Sequence, residues 1–337
     1  MRDFSANSID LNGKSVLVTG GTGSFGQKFI EVVIQRYTPR KLIVFSRDEQ
    51  KQFNMAHRFS PSEYPFLRYF IGDVRDVSRL ELALADVDYV VHAAAMKHVS
   101  IAEYNPFECI ATNVHGAENI VRASLRQGVK KVLALSTDKA CSPINLYGTS
   151  KLAADKIFVA ANHLSGKKGT CFSVVRYGNV IGSNGSVVPL FRRLIEQGAD
   201  HLPITHEEMT RFWITLTQGV DFVLSCMKLM KLGEIFVPKI PSMHVVDLAR
   251  SIAPDLPYRV IGIRPGEKLH EAMITVDDAR QTLELDDRYV ILPEIQIERD
   301  HSLWAPKKKV EKDFFYASNN NPEWLDAEGI KNILDVV

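Results

Sequence analysis

Apolar and β-branched runs alternate with amphipathic stretches through the first half of the chain. Ser15–Thr19 predicts a buried strand, and Phe25–Gln35 predicts the helix that follows it. Further strands are predicted at Leu42–Phe45, Tyr69–Ile71, Tyr89–His92, Val132–Leu135 and Phe172–Arg176, and helices near Val77–Leu84, Cys109–Gln127 and Leu146–Ala161. Because strands alternate with helices, we expect an α/β fold with right-handed crossovers and a doubly wound parallel sheet covered on both faces.

The pattern changes near residue 180, where short strands and helices mix with frequent Pro and Gly. We therefore expect a first domain over residues 10–180 and a smaller C-terminal α+β lobe over 181–300 that binds substrate. Segments of that lobe can return to the first domain. Residues 301–337 are expected to form a polar, loop-rich tail.

Composition narrows the class of protein. Lys and Arg number 41 against 40 Asp and Glu, so broad surfaces for nucleic acid or membrane are not expected. Met1–Gly13 is polar, and no run of about 18 apolar residues occurs, which favours a cytoplasmic protein. The four cysteines are widely spaced and the ten histidines form no ligand pattern, so neither a disulfide framework nor a metal site is expected.

A glycine-rich turn between the first strand and the first helix is the first candidate site. It places glycine every third residue and predicts a dinucleotide phosphate site of the Rossmann type, because glycine lets the backbone approach a pyrophosphate at a helix N-terminus. The residues assigned to this turn are Gly20, Thr22, Gly23, Ser24, Phe25 and Gly26.

The end of the second strand indicates which dinucleotide is bound. Ser46 and Arg47 follow that strand and Lys51 lies one helical turn further on, a set that suits the 2′-phosphate of NADP. Asp48 is the competing feature, since a carboxylate there is typical of NAD sites. The other expected cofactor contacts lie after later strands: Asp73, Val74, Ala93, Lys97, Leu135, Ser136, Val180, Ile181, Gly182, Ser183 and Asn184.

Two motifs that follow the fifth strand carry the predicted chemistry. Tyr147 and Lys151 have the i, i+4 spacing that puts both on one face of a helix. The Lys151 ammonium and the positive nicotinamide would lower the pKa of Tyr147, so that the phenolate accepts an alcohol proton during hydride transfer. Thr137 ends the strand, and Asp138 and Lys139 follow it directly.

These motifs resemble those of the extended short-chain dehydrogenase/reductase family. The stretches that carry the resemblance are TGGTGSFG, STDKA, NLYGTSK and RYGNV. A closer resemblance, over roughly residues 10 to 295, is to the inverting UDP-N-acetylglucosamine 4,6-dehydratases that start pseudaminic acid synthesis, through AAAMKHVSIAEYNP, MTRFWIT, EIFVPKIPSM and GIRPGEKLHE. Related dehydratases of polysaccharide synthesis often have Met where this chain has Tyr147.

The resemblance implies a reaction and roles for residues. The C4 hydroxyl is oxidised, the C5 proton and C6 hydroxyl are lost, and hydride returns to C6 with inversion at C5. Thr137 would bond the substrate hydroxyl, Lys139 would be the C5 base and Asp138 the acid, although which group faces which atom stays open. Homo-oligomers, with a hexamer as the suggested state, and a role in flagellar glycosylation are also implied.

The substrate diphosphate needs cationic and polar partners. Arg211 and Arg264 offer bidentate contacts to phosphate oxygens, and Lys97, Asn179 and Glu267 are further candidates for binding the UDP-sugar. Three alternatives to the inverting dehydratase stay open: dehydration with retention at C5, C4 epimerisation of a UDP-sugar, and a non-catalytic NADP-binding scaffold or sensor. The acid–base pair after Thr137 argues against an epimerase, and an intact set of Thr137, Tyr147 and Lys151 argues against a sensor.

Overall fold

The fold is organised around one large twisted sheet. The computed structural model describes residues 2–166, 169–183, 185–231, 233–295 and 304–335. Its strands are β1 (Ser15–Thr19), β2 (Lys41–Ser46), β3 (Leu67–Ile71), β4 (Tyr89–His92), β5 (Lys131–Thr137), β6 (Cys171–Tyr177), β7 (Asn179–Val180), β8 (Leu202–Ile204), β9 (Thr210–Ile214), β10 (Ile235–Pro238), β11 (Ser242–His244), β12 (Tyr258–Val260), β13 (Ala272–Ile274), β14 (Thr282–Glu284), β15 (Arg288–Ile291), β16 (Lys308–Lys309) and β17 (Tyr316–Ala317).

Helices cover both faces of this sheet and form part of the second lobe. They are α1 (Ser24–Arg36), α2 (Glu49–Arg58), α3 (Val77–Ala83), α4 (Val99–Tyr104), α5 (Pro106–Ile110), α6 (Gly116–Gln127), α7 (Leu146–Leu164), α8 (Val187–Glu196), α9 (Leu216–Leu229), α10 (Val245–Ile252), α11 (Val276–Ala279) and α12 (Ala327–Leu334). Short 3-10 turns lie at Ser5–Asn7 and Asp138–Ala140, and a π-helical turn at Ala111–His115 joins α5 to α6. Within the described ranges, no helix has both the length and the apolar character that membrane spanning requires.

The sheet has the strand order β3-β2-β1-β4-β5-β6-β10-β15-β14-β16. The first seven of these strands pair in parallel, and the last three are antiparallel. All residues of β1 and β6 are buried, as expected for strands covered on both faces. The predicted doubly wound fold is therefore confirmed, and the order reverses beside β1, where ligands of such sheets bind at the carboxyl ends of the strands.

The second lobe has its own small sheets and core. β11, β9 and β7 form one sheet, and β12 pairs with β8. The helices α8, α10 and α12 pack there around a compact apolar cluster that includes Val188, Trp213, Met243, Leu248 and Ile330. This lobe stands beside the carboxyl edge of the main sheet, because β7 follows β6 after a single residue.

After residue 180 the chain passes back and forth between the second lobe and the main sheet. After the first lobe strands it returns to the main sheet with β10, and later with β14 and β15. The expected loop-rich tail also takes part: β16 pairs with β14, and the buried indole of Trp304 donates to Glu234 Oε1 at 2.9 Å. The polar sequence of this segment gives no indication of a strand, because both residues of β16 are exposed at the sheet edge.

Candidate active site

The glycine turn after β1 is shaped by close backbone approaches. Gly20 has φ of +64°, and a Cβ atom there would lie 2.9 Å from the backbone nitrogen of Ala94. A Cβ atom on Gly26 would lie 2.5 Å from Gly21 Cα. Larger residues would therefore push α1 away from the strands. Gly23 precedes α1 without a side-chain cap, so the start of this helix is built to receive an anion.

A cavity of about 910 Å³ runs along the carboxyl edge of the sheet from this turn. Most residues expected at the cofactor line it: Gly20, Thr22, Gly23, Ser24, Phe25, Gly26, Ser46, Arg47, Lys51, Asp73, Val74, Ala93, Lys97, Leu135, Ser136, Tyr147, Lys151, Val180 and Ser183. Ile181 instead packs in the core of the second lobe, and Gly182 is not among the described lining residues. Asn184 lies outside the described residues.

Basic and acidic side chains line the cavity together at the end of β2, where Arg47 stands 3.6 Å from Asp73 Oδ2. Arg47 and Lys51 keep more than half of their side-chain area exposed there. Asp48 Oδ1 accepts from the backbone N–H of Lys51 at 2.9 Å and caps α2, while its Oδ2 lies 3.4 Å from Lys51 Nζ. Sequence reasoning missed Arg58, which also lines this end and pairs with Glu31 at 2.8 Å. It lies at the C-terminal end of α2, a helix that the sequence pattern had not delimited.

The predicted Tyr–Lys pair lies at the start of α7, against the end of β5. Lys151 Nζ donates to the carbonyl oxygen of Leu135 at 2.6 Å, which ties helix to strand. In this structure the pKa of Tyr147 is not lowered as expected from Lys151: burial raises it to about 12, and the groups that act in the opposite direction are the Lys139 ammonium and the hydrogen bond with Thr137. Burial lowers the pKa of Lys151, and Asp155 one helical turn further opposes that shift.

Thr137, Asp138 and Lys139 form a connected acid–base group. Asp138 is fully buried, and its Oδ1 accepts from Thr137 Oγ1 and from Lys139 Nζ, both at 3.0 Å. Its Oδ2 is buried without a hydrogen-bond partner. Burial lowers the pKa of Lys139, but Asp138 and Glu271 outweigh this effect and raise it well above its usual range. Lys139 therefore rests as an ammonium between two carboxylates.

Glu271 is a residue that sequence reasoning missed. Its Oε1 lies 3.2 Å from Lys139 Nζ, and the residue is 2% exposed. Glu271 ends the stretch GIRPGEKLHE, in which Arg264 and Glu267 are the residues expected to bind substrate. The sequence shows only that Glu271 is an acidic residue in a stretch that resembles the dehydratase family. No neighbouring residue indicates that its side chain reaches the end of β5.

The other expected substrate residues have different surroundings. Lys97 lines the cavity, and burial lowers its pKa. Arg211 is buried and donates to the carbonyl oxygens of Thr210, Lys268 and Leu269 at 2.7 to 3.0 Å. In this arrangement Arg211 supports the segment that carries Glu271.

The last three substrate candidates lie in the second lobe. Arg264 is half exposed and stands 3.9 Å from Glu267 Oε1. Asn179 Oδ1 and Glu267 Oε2 are buried without hydrogen-bond partners. None of the three is among the described residues that line the cavity, and the same holds for Arg211, Asp138 and Lys139. Their contacts with a diphosphate stay a prediction.

Two central polar residues have structural roles. His92, within β4, shares a hydrogen bond of 2.8 Å with Thr19, and burial lowers its pKa to about 3. Asn113, in the π-helical turn, accepts from Met96 N at 2.8 Å and donates to Ser150 Oγ at 2.9 Å, which joins the loop after β4 to α7. No metal-binding group of three or more His, Cys, Asp or Glu occurs in the part of the chain that the structure describes.

Comparison with known proteins places this arrangement in a family. The model of a family described as "Polysaccharide biosynthesis protein" matches residues 16–293. The chain belongs to this family. The resemblance to the extended short-chain dehydrogenase/reductase family is thereby confirmed.

Several proteins and one solved structure are similar to this chain over most of its length. A Campylobacter jejuni protein named UDP-N-acetylglucosamine 4,6-dehydratase (inverting) is 55% identical over 97% of this chain and 98% of its own length. A Rickettsia canadensis protein named UDP-glucose 4-epimerase is 41% identical over 82% of each chain. The X-ray structure of Pen from Bacillus thuringiensis has a TM-score of 0.88 at 36% identity and covers 97% of this chain and 99% of that one.

Proposed function

We propose that this chain is an NADP-dependent UDP-N-acetylglucosamine 4,6-dehydratase that inverts C5 and produces UDP-2-acetamido-2,6-dideoxy-β-L-arabino-hexos-4-ulose. The observation that carries the proposal is the acid–base pair of Asp138 and Lys139, hydrogen-bonded to Thr137 beside Tyr147. The 55% identity to the Campylobacter jejuni protein of that name supports the same reaction.

The cofactor site fits NADP in two respects. The cradle that Gly20 and Gly26 form would be filled by any Cβ atom, and it opens onto the start of α1, as a pyrophosphate requires. Arg47 and Lys51 supply positive charge beside Ser46 for a 2′-phosphate, while the Asp48 carboxylate caps α2. When bound, NADP would accept hydride from C4 and later return it to C6.

Oxidation at C4 requires a group that takes the hydroxyl proton. Tyr147 is the residue for this step, and Thr137 holds the same hydroxyl from the end of β5. Lys151 fixes the start of α7 against Leu135 and thereby holds Tyr147 in place. Burial raises the pKa of Tyr147, and the Lys139 ammonium together with the positive charge of a bound nicotinamide would lower it again, so that the phenolate can accept the proton.

Elimination across C5 and C6 requires a base and an acid. Lys139 takes the C5 proton, the electron pair of the C5–H bond forms the C5–C6 double bond, and the C6–O bond breaks. Asp138 gives its proton to the leaving hydroxyl, which departs as water. For this step the proton that rests on Lys139 first moves to Asp138 through their 3.0 Å contact, so the pair exchanges a proton internally.

Epimerisation at C4 is the second candidate, since the Rickettsia canadensis relative is named UDP-glucose 4-epimerase. Tyr147 and Lys151 would suffice for that reaction. The buried Asp138 and Lys139 favour dehydration instead, because C4 epimerisation needs no proton transfer at C5 or C6. The resemblance further supports a homo-oligomer, with a hexamer as the suggested state, that acts in the cytoplasm in pseudaminic acid and flagellin glycan synthesis.

Lys139→Ala tests the proposal against an epimerase or a scaffold. We expect loss of turnover of UDP-N-acetylglucosamine with the bound dinucleotide retained, measured by sugar-nucleotide chromatography and by mass spectrometry of the extracted cofactor. Lys131→Met is the matched control, because Lys131 lies at the opposite end of β5 and donates to Met227 O. Unchanged turnover in Lys139→Ala would reject the proposed chemistry, and extraction of mainly NAD would reject NADP.

A further inference from the structure

Glu271 reaches the same ammonium group as Asp138 from a different part of the fold. Lys139 Nζ stands 3.0 Å from Asp138 Oδ1 and 3.2 Å from Glu271 Oε1. The Glu271 side chain is 2% exposed, whereas Lys139 keeps 24% of its side-chain area accessible. The nitrogen is therefore bound on two sides by buried carboxylates and remains accessible on another side.

The segment from Lys268 to Glu271 is hydrogen-bonded to Cys141, just after Lys139, and to Ser318 near the C-terminal end of the chain. Lys268 Nζ donates to the carbonyl oxygen of Cys141 at 2.7 Å. Glu271 N donates to Ser318 Oγ at 3.0 Å, and Ser318 N donates to Glu271 O at 2.7 Å. Because both ends of this segment are tied down, the distance between Glu271 and Lys139 is set by the fold.

We propose that Glu271 is a positioning residue for Lys139, which fixes the direction in which the nitrogen meets C5 and balances the positive charge that develops there. This inference rests on the proposed dehydration. Two of the tetrahedral directions of the nitrogen point to Asp138 and Glu271, and the sugar would approach Lys139 on the side that remains accessible. When Asp138 holds the proton intended for the leaving hydroxyl, Glu271 is the second carboxyl group in contact with Lys139, at 3.2 Å.

The charges around Lys139 determine the sign of the expected pH effect. Asp138 and Glu271 raise the pKa of Lys139 against the effects of burial and of Arg211, and Tyr147 also faces this ammonium. Lys268 lies 3.8 Å from Glu271 Oε2 and partly balances its charge. Glu271→Gln keeps the shape and a hydrogen-bond acceptor but removes the charge, so the pKa of Lys139 falls. The shared proton of the Asp138–Lys139 pair is then lost at lower pH.

The pH dependence of kcat tests this role in the full-length protein. In Glu271→Gln we expect an alkaline decline of kcat to enter the pH range in which the wild type shows none, with KM within about twofold of wild type. Glu234→Gln is the matched control, since this buried carboxylate accepts from Ser173 and Trp304 away from the cavity. If kcat fell by the same factor at every pH, Glu271 would only stabilise the fold, and the proposal would be overturned. An unchanged pH profile of kcat would overturn it as well.

A second readout does not depend on turnover. Acetic anhydride modifies neutral amines, so the extent of Lys139 acetylation against pH, measured by peptide mass spectrometry, reports its titration directly. We expect Lys139 to become reactive at lower pH in Glu271→Gln than in wild type, and equal curves would overturn the proposal. If wild type fails to dehydrate the sugar while the curves differ, the proposed function is wrong and the anchoring of Lys139 stands.

Discussion

The backbone of Lys139 lies directly against Gly148. A Cβ atom on Gly148 would stand 2.2 Å from the Lys139 carbonyl oxygen, well inside van der Waals contact. The loop with the acid–base pair therefore rests on the helix that carries Tyr147, and this contact sets the distance between the proton acceptor for C4 and the groups that act at C5 and C6.

Gly148→Ala should consequently separate the two parts of the site. We expect kcat to fall by roughly tenfold or more, since small displacements of catalytic groups are costly, and the midpoint of thermal unfolding to fall as well. Gly219→Ala is the control, because a Cβ atom on Gly219 within α9 meets nothing within 4 Å. That substitution should leave kcat unchanged and stabilise the helix by up to about 1 kcal/mol. Equal kcat in both variants would contradict the proposed coupling.

The sequence predicted those parts of the site that follow strands along the chain. Thr137, Asp138 and Lys139 were located because the apolar run of β5 ends immediately before them, and parallel strands bring such ends to one edge. Glu271 could not be found in this way, because its contact with Lys139 depends on how the second lobe folds back on the sheet. The local pattern of apolar and polar residues does not indicate how the chain of the second lobe returns to the sheet.

The surroundings of Arg211 and the pairing of β16 could not be predicted from local sequence for the same reason. An Arg in a motif that resembles nucleotide-sugar enzymes suggested a phosphate contact, yet the structure buries its guanidinium against the carbonyls of the Glu271 segment. Residues 301–337 are expected to form a loop-rich tail, and Lys308 and Lys309 are indeed exposed, but backbone pairing to β14 makes them an edge strand. Edge strands lack the apolar alternation by which strands are recognised.

Cofactor preference should depend on the cations at the end of β2. In the Arg47→Ala, Lys51→Ala double variant we expect the Kd for NADP to rise by roughly tenfold or more and the Kd for NAD to change little, because the lost charges face the 2′-phosphate. Arg40→Ala is the control, since Arg40 precedes β2 at the opposite edge and donates to Asp86 O. Titration by intrinsic fluorescence measures both constants, and an equal loss for the two dinucleotides would argue against a 2′-phosphate site.

His92 should make the fold sensitive to acid. Its pKa is about 3 in the folded chain against an ordinary value of 6.5, so the unfolded state binds a proton first as pH falls. The stabilisation is complete above the unfolded pKa and is lost below it, by up to about 1.4 kcal/mol per pH unit until the folded pKa is reached. Urea unfolding of wild type and His92→Gln between about pH 7.5 and pH 5 measures this. The variant should show the smaller slope, and parallel slopes would exclude His92 as the source.

The central claim is that the chain dehydrates UDP-N-acetylglucosamine with inversion at C5 and recycles its own dinucleotide. Proton NMR of the sugar after incubation with purified protein in D₂O, without added cofactor, tests it most directly. We predict a 4-keto-6-deoxy product of L-arabino configuration with deuterium at C5. The D-xylo configuration would contradict inversion, and an unchanged sugar in the presence of protein that retains its dinucleotide would contradict the dehydratase itself.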